Sequence, residues 1–132
     1  MFQLKPQQTD LSRPAYLLTF TCHARRNYLQ NAQYRQQIRK QLKEQGEKEQ
    51  FTVQAISFTP NCLWLIITPF NPSRLKRIIH RFKVKTGRYM REFLELPSPL
   101  WEEDPLVRVL TLQEELAARK EYLQTIPTKI KD

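Results

Sequence analysis

The 132-residue chain is poor in the residues that make flexible joints, crosslinks and membrane spans. It holds only two glycines and two cysteines. Its longest apolar run, Leu63 to Ile67, is far shorter than the roughly 20 residues that cross a bilayer. The first residues are polar and interrupted by proline, which is not the pattern of a signal peptide. We therefore expect no internal linker, no membrane contact and a cytoplasmic protein.

Residues that hold metals are also scarce. Cys22 and Cys62 lie far apart in predicted strands, and neither belongs to a Cys-x-x-Cys pair. This pattern predicts two reduced, buried thiols. The two histidines, His23 and His80, are isolated from each other. A zinc site built on Cys62 and His23 would lack a third ligand, so we expect no metal.

Acidic residues are outnumbered by basic ones. The chain has 13 Asp and Glu and 22 Lys and Arg, which gives a net charge of +9. A surface this basic favours polyanions, and nucleic acid is the commonest polyanion inside cells. The hydrophobic fraction of 40%, with seven Phe, five Tyr and two Trp, indicates a packed globule rather than a disordered chain.

Hydrophobic periodicity divides the chain into alternating elements. We predict an extended arm over residues 1–13, a single domain over residues 14–127 and a tail over residues 128–132. Strands are predicted over residues 15–22, 51–58, 62–68 and 106–110, and helices over residues 31–45, 73–94 and 111–125. The expected helix caps are Asn31, Ser73, and Thr111 with Glu114. The β-α-β-β-α-β order predicts an α+β, ferredoxin-like split β-α-β fold. It has a four-stranded antiparallel sheet, two helices on one face and an additional C-terminal helix.

The second predicted helix carries eight Lys and Arg before its first acid, Glu92. At about 100° per residue, five of these cations form one stripe beside the apolar face. They are Arg74, Arg77, Arg81, Lys85 and Arg88. We predict that this stripe, with Arg25 and Arg26 of a basic loop, binds a phosphodiester backbone. The alternative is a helix that is merely basic on its solvated side.

Four segments, taken in order, resemble a known family. They are Pro60-Asn61-Cys62-Leu63-Trp64, the basic helix from Ser73, Pro99-Leu100-Trp101, and Tyr122-Leu123-Gln124-Thr125-Ile126-Pro127. Between about Tyr16 and Pro127 the chain resembles the HUH-type single-tyrosine transposases, especially the REP-associated tyrosine transposases. In that family the central strand opens with Pro-Asn-His-hydrophobic-His, and the last helix ends in Tyr-hydrophobic-x-x-Asn-Pro.

The resemblance implies strand transfer on single-stranded DNA, with hairpin or single-stranded DNA as the partner. In the family, the two histidines and a third polar ligand hold magnesium or manganese, which polarises the scissile phosphate. A tyrosine then attacks phosphorus and forms a phosphotyrosine link. Tyr122 is the candidate nucleophile by this resemblance. Family members can pair, so a homodimer is a further expectation.

The chain departs from the family at the metal motif. Cys62 and Trp64 stand at the two histidine positions, and Ile126 replaces a polar residue. A thiolate is too soft for magnesium, and an indole N–H only donates. We therefore expect no cofactor, and we interpret Cys62 and Trp64 as packing residues in a former metal cavity. Tyr122 is predicted at the rim of its helix, with the edge of the core as the alternative.

These observations predict a transposase-family protein that binds DNA and has lost catalysis. The alternative is a non-catalytic regulator that binds DNA or RNA through the basic helix. A partner-binding remnant without a nucleic-acid role is a third hypothesis. Trp101 is predicted to cap the sheet, with base stacking as its alternative role.

Overall fold

The structure is a computed structural model and describes residues 9–126. Its elements are β1 (Asp10–Thr21), α1 (Ala32–Glu49), β2 (Phe51–Thr59), β3 (Cys62–Pro69), α2 (Leu75–Phe93), β4 (Leu106–Leu112) and α3 (Gln113–Thr125). The sheet order is β2-β3-β1-β4, and every neighbouring pair is antiparallel. This is the split β-α-β order, and the predicted α+β, ferredoxin-like class is confirmed. No helix within residues 9–126 is long and apolar enough to cross a bilayer.

The sheet separates two apolar clusters of unequal size. On one face, Leu18, Phe20 and Leu65 pack with residues of α1 and α2 such as Ile38 and Phe82. On the other face α3 supplies the cover, and the buried members of that cluster are Ala15, Leu17, Ile66, Leu110, Leu123 and Ile126. The two faces arise because successive side chains along a strand point to opposite sides. The predicted pair of helices on one face is therefore confirmed, and the additional helix covers the opposite face.

The first strand begins earlier than the sequence pattern predicts. β1 starts at Asp10 rather than at residue 15, so the predicted arm over residues 1–13 overlaps the sheet. Asp10 pairs with Leu112, and the register shifts before Ala15. Pro14 lies within this irregular stretch, where a proline is tolerated because the ladder is interrupted. Residues 1–8, Pro127 and the predicted tail over 128–132 lie outside the described residues.

The start of α1 agrees with its predicted cap, but its end does not agree with the predicted end. Asn31 caps α1 as predicted, because its Oδ1 accepts from the Gln33 and Tyr34 amides at 2.8 and 3.3 Å. The helix runs to Glu49, past the predicted end at residue 45, and Gln50 closes it in a left-handed conformation. Gly46 therefore does not end α1. Its hydrogen faces the Phe51 carbonyl oxygen, which a Cβ would approach to 3.0 Å.

Two predicted caps are wrong by one or two positions. The cap before α2 is Asn71 and not Ser73. The Asn71 Oδ1 accepts a hydrogen bond from the Ser73 backbone N–H, in the turn that leads into α2. At α3, Glu115 rather than Glu114 reaches back, and it accepts from the Thr111 and Leu112 amides at 3.1 Å each. These bonds, the Thr111 amide first, lower the pKa of the exposed Glu115 carboxyl. Thr111 still belongs to β4, so its hydroxyl does not cap the helix.

Trp101 ties the loop after α2 to the sheet and to the helix. Its ring packs against Phe20 and Phe82, with centroids at 5.4 and 6.0 Å. Its Nε1 donates to the buried Thr86 Oγ1 at 2.8 Å, and Thr86 in turn donates to the Phe82 carbonyl oxygen. Trp101 also forms a β-bridge with Cys22. The packing role predicted for Trp101 is confirmed, because only 6% of the residue is exposed.

We predict that Trp101→Phe lowers the free energy of unfolding by about 1–3 kcal/mol more than Trp64→Phe does. Trp101→Phe leaves the buried Thr86 hydroxyl without its donor. The Nε1 of Trp64, by contrast, is buried without a hydrogen-bond partner in residues 9–126. Urea unfolding followed by far-UV circular dichroism measures both changes. Equal losses for the two substitutions would contradict a contribution from the Trp101–Thr86 bond.

Candidate nucleic-acid interface

The motif segment forms the turn between β2 and β3 and the start of β3. Cys62 and Trp64 are two residues apart on β3 and share the face that α3 covers. Four residues on the neighbouring strands lie directly opposite them, and all four carry hydroxyl groups. They are Thr21 and Thr59 opposite Cys62, and Thr19 and Ser57 opposite Trp64. Sequence periodicity did not predict this hydroxyl-rich surround, because it depends on the register of three strands.

The two cysteines differ in burial and chemistry. Cys22 is fully buried, and this burial raises the pKa of its thiol to about 12. Cys62 is only half-buried, and its Sγ lies 3.6 Å from the Thr21 Oγ1. The prediction of two buried thiols is therefore correct for Cys22 and wrong for Cys62. Cys62 lies at the sheet end where the strand leaves the turn, so its side chain is partly exposed to solvent.

Trp64 places a hydrogen-bond donor, and not a metal ligand, on this face of the sheet. Its Nε1 and the Oγ of the fully buried Ser57 have no hydrogen-bond partner in the described residues. Ile126, at the end of α3, is buried with Leu123 and Leu110. Within residues 9–126 no three His, Cys, Asp or Glu side chains cluster as a metal site would require. The groups on offer at these motif positions are a thiol, an indole N–H and an alkyl chain.

Tyr122 lies on the exposed side of α3. It is 52% exposed, while the next residue, Leu123, is buried against the sheet. The predicted position at the rim of the helix is confirmed. The Tyr122 carbonyl oxygen accepts from the Thr125 Oγ1 at 2.8 Å. The ring is therefore accessible, on the same side of the sheet as Cys62 and Trp64.

The predicted cation stripe lies on the solvent side of α2. All five members are exposed: Arg74, Arg77, Arg81, Lys85 and Arg88. The helix buries Ile78, Phe82, Thr86 and Met90 on its opposite side. Phe93, the last residue of the helix, is 66% exposed. Arg81 lies 3.6 Å from the Glu49 carboxylate, and this ion pair joins an exposed guanidinium to a buried carboxylate.

Arg25 and Arg26 lie in a loop whose backbone amides hold it to the rest of the fold. The His23 amide donates to the Leu100 carbonyl oxygen at 2.9 Å, and the Ala24 amide donates to Glu102 Oε2 at 3.0 Å. Ala24 and Arg25 both have positive φ values, 54° and 53°. The loop is thereby fixed beside the segment around Trp101, which itself bonds to α2. Arg25 and Arg26 are both exposed.

A basic groove between α2 and residues 96–101 was not predicted. Its volume is about 820 Å³. The cations that line it are Lys83, Arg88 and Arg91, with His80 beside them, and the groove floor includes Gly87, Leu96, Leu100 and Trp101. We refer to it as the α2 groove. Of these three cations the stripe includes only Arg88, so the helix carries basic residues on two adjoining sides. In the sequence, the one indication of this groove was Gly87, a glycine within a helical pattern.

Comparison with known proteins places the chain in a family. Residues 11–124 match the family model described as "Transposase IS200 like". None of the curated proteins compared is significantly similar in sequence. A REP-associated tyrosine transposase solved bound to a REP hairpin is similar in fold, with a TM-score of 0.64 and 17% identity. That match covers 98% of this chain and 74% of the other.

A second solved structure is a candidate transposase from Deinococcus radiodurans R1. It has a TM-score of 0.64 and 18% identity to this chain, and the match covers 100% of both chains. At these identities the two structures show a common fold. The family model covers most of the chain, from the first strand to the last helix. The chain therefore belongs to the IS200-like transposase family.

Proposed function

We propose that this protein binds single-stranded or hairpin DNA and no longer cleaves it. The observation that carries the proposal is the shared face of Cys62 and Trp64, at the positions where the family resemblance expects two histidines. The backbone frame of the motif is kept, since the two side chains still point to the same side of β3. The loss lies in the side-chain chemistry and not in the fold.

The side chains at these positions do not suit a hard divalent cation. Magnesium and manganese prefer oxygen ligands, while a thiolate prefers softer metals. The Trp64 indole has no lone pair to offer, and its N–H is buried. Ile126 is apolar and packs in the core beneath α3. Without a metal to polarise the phosphate, the exposed Tyr122 has no partner for attack on phosphorus.

The binding half of the proposal rests on charge. The stripe along α2 is exposed and continuous over four helical turns, and the loop with Arg25 and Arg26 adds two further cations. Cations at this density attract the phosphate backbone with little dependence on sequence. The REP hairpin bound by the solved relative makes a DNA hairpin the natural first ligand to test.

We predict that hairpin affinity falls with salt at a log–log slope of about −4.5, which corresponds to five phosphate contacts. Arg77→Ala/Arg81→Ala should reduce the slope to about −2.7, because two contacts are lost. Fluorescence anisotropy with a labelled hairpin, repeated over a salt series, measures both slopes. The matched control is Lys43→Ala/Arg108→Ala, which removes two exposed cations outside the stripe.

A salt-independent affinity of the unsubstituted protein would exclude the electrostatic proposal. Equal slopes for the two double variants would show that the stripe is not the contact surface. The same titration with an RNA hairpin of equal length separates the two nucleic acids. Tighter binding to RNA would favour the alternative, a non-catalytic RNA-binding regulator.

We predict that the protein forms no covalent adduct with hairpin-bearing single-stranded DNA in magnesium or manganese. Tyr122→Phe should bind the same DNA with unchanged affinity, because Tyr122 lies on α3 and outside the cation stripe. Denaturing gel electrophoresis with end-labelled DNA detects an adduct. An adduct that forms with the unsubstituted protein and disappears in Tyr122→Phe would disprove the loss of cleavage.

A further inference from the structure

Gly87 lies in the interior of α2, where glycine weakens a helix relative to alanine. The chain has only one other glycine, Gly46, and its lack of a side chain is explained by the nearby Phe51 carbonyl oxygen. Gly87 has no comparable reason. A Cβ at this position would meet no heavy atom within 4 Å, and its backbone does not have a positive φ. Packing and backbone conformation therefore do not require this glycine.

The missing side chain opens the α2 groove. Gly87 lies in its floor, together with the apolar residues Leu96 and Leu100 of the following loop. A volume of about 820 Å³ lies within the range of sites that bind small organic ligands. The groove therefore combines open helix backbone with an apolar floor.

The charge of the α2 groove selects an anionic ligand. Lys83 is half-buried, and Arg88 and Arg91 are exposed at its rim with His80. Glu92 is the one acidic residue among those that line it within the described part of the chain. Cations around an apolar floor match a ligand that has a planar apolar part and a phosphate. A nucleotide has both.

We propose that the α2 groove holds one unpaired nucleotide of the bound DNA strand, with its base against the floor at Gly87 and the phosphates on its two sides on Lys83 and Arg91. This inference rests on the proposed DNA binding. Arg88 belongs both to the exposed stripe and to the α2 groove. A strand whose paired stem lies on the stripe thus reaches the groove around one side of the same helix. The protein thereby distinguishes a stem with an unpaired extension from a blunt stem.

The test places an apolar side chain in the α2 groove without changing its charge. Gly87→Leu places a side chain into open space, so we expect the fold to be kept, and circular dichroism and a melting curve verify this. Gly87→Ala is the matched control, because it strengthens the helix and leaves most of the groove open. The ligands are one labelled DNA hairpin with a two-nucleotide single-stranded extension and the same hairpin with a blunt end.

We expect the unsubstituted protein and Gly87→Ala to bind the extended hairpin about tenfold more tightly than the blunt one, as one accommodated base would produce. Gly87→Leu should lose this preference and keep the affinity for the blunt hairpin. A folded Gly87→Leu that retains the preference would overturn the groove assignment.

The outcomes also separate this inference from the proposed function. Equal binding of both hairpins by the unsubstituted protein would disprove the nucleotide site and leave the cation stripe intact. Binding of neither hairpin at low salt would disprove both proposals. Lys83→Ala/Arg91→Ala should reproduce the loss for the extended hairpin, since it removes the proposed phosphate contacts.

Discussion

The alternation of side chains along β3 is the constraint on which the rest of this structure depends. Leu63, Leu65 and Ile67 point into the larger core beneath α1 and α2, while Cys62 and Trp64 point towards α3. A shift of one residue would exchange the two sets. The antiparallel partners on β1 and β2 fix this register over the whole strand. Core packing therefore holds the motif positions in place, whatever side chains occupy them.

In our proposal, this constraint allows cleavage to be lost while DNA binding is kept. The cation stripe lies on α2, which packs on one face of the sheet, and the motif residues lie on the other face. Replacement of the metal-motif side chains does not disturb the core that supports α2. The exposed cations need only a helix held against that core. For this reason we propose that DNA binding is kept, while Tyr122 remains exposed without a metal site beside it.

The sequence predicted those features that depend on hydrophobic periodicity. The central strand, predicted over residues 62–68, spans Cys62–Pro69, and the apolar side of the basic helix is buried mainly through Ile78, Phe82 and Met90. The caps at Asn71 and Glu115 were missed because several polar residues adjacent in sequence can serve, and backbone geometry selects one. The start of β1 was missed because Pro14 has the sequence signature of a loop.

Hydrophobic periodicity did not predict the features that form where segments distant in sequence come together. The α2 groove exists because residues 96–101 fold back on the helix through the bond of Trp101 to Thr86. The hydroxyl groups around Cys62 and Trp64 come from the two strands that flank β3. In both cases each residue is ordinary in its local sequence, and only the tertiary arrangement brings them together.

The most direct test of the central claim is a manganese titration of the intact protein, followed by electron paramagnetic resonance of the free ion. Our account predicts no saturable binding, because the side chains at positions 62, 64 and 126 are not ligands for a hard cation. Cys62→His/Trp64→His/Ile126→Asn serves as a positive control, since it supplies two imidazoles on one face of β3 and a polar side chain at position 126. Saturable binding by the unsubstituted protein that Cys62→Ala abolishes would contradict the account.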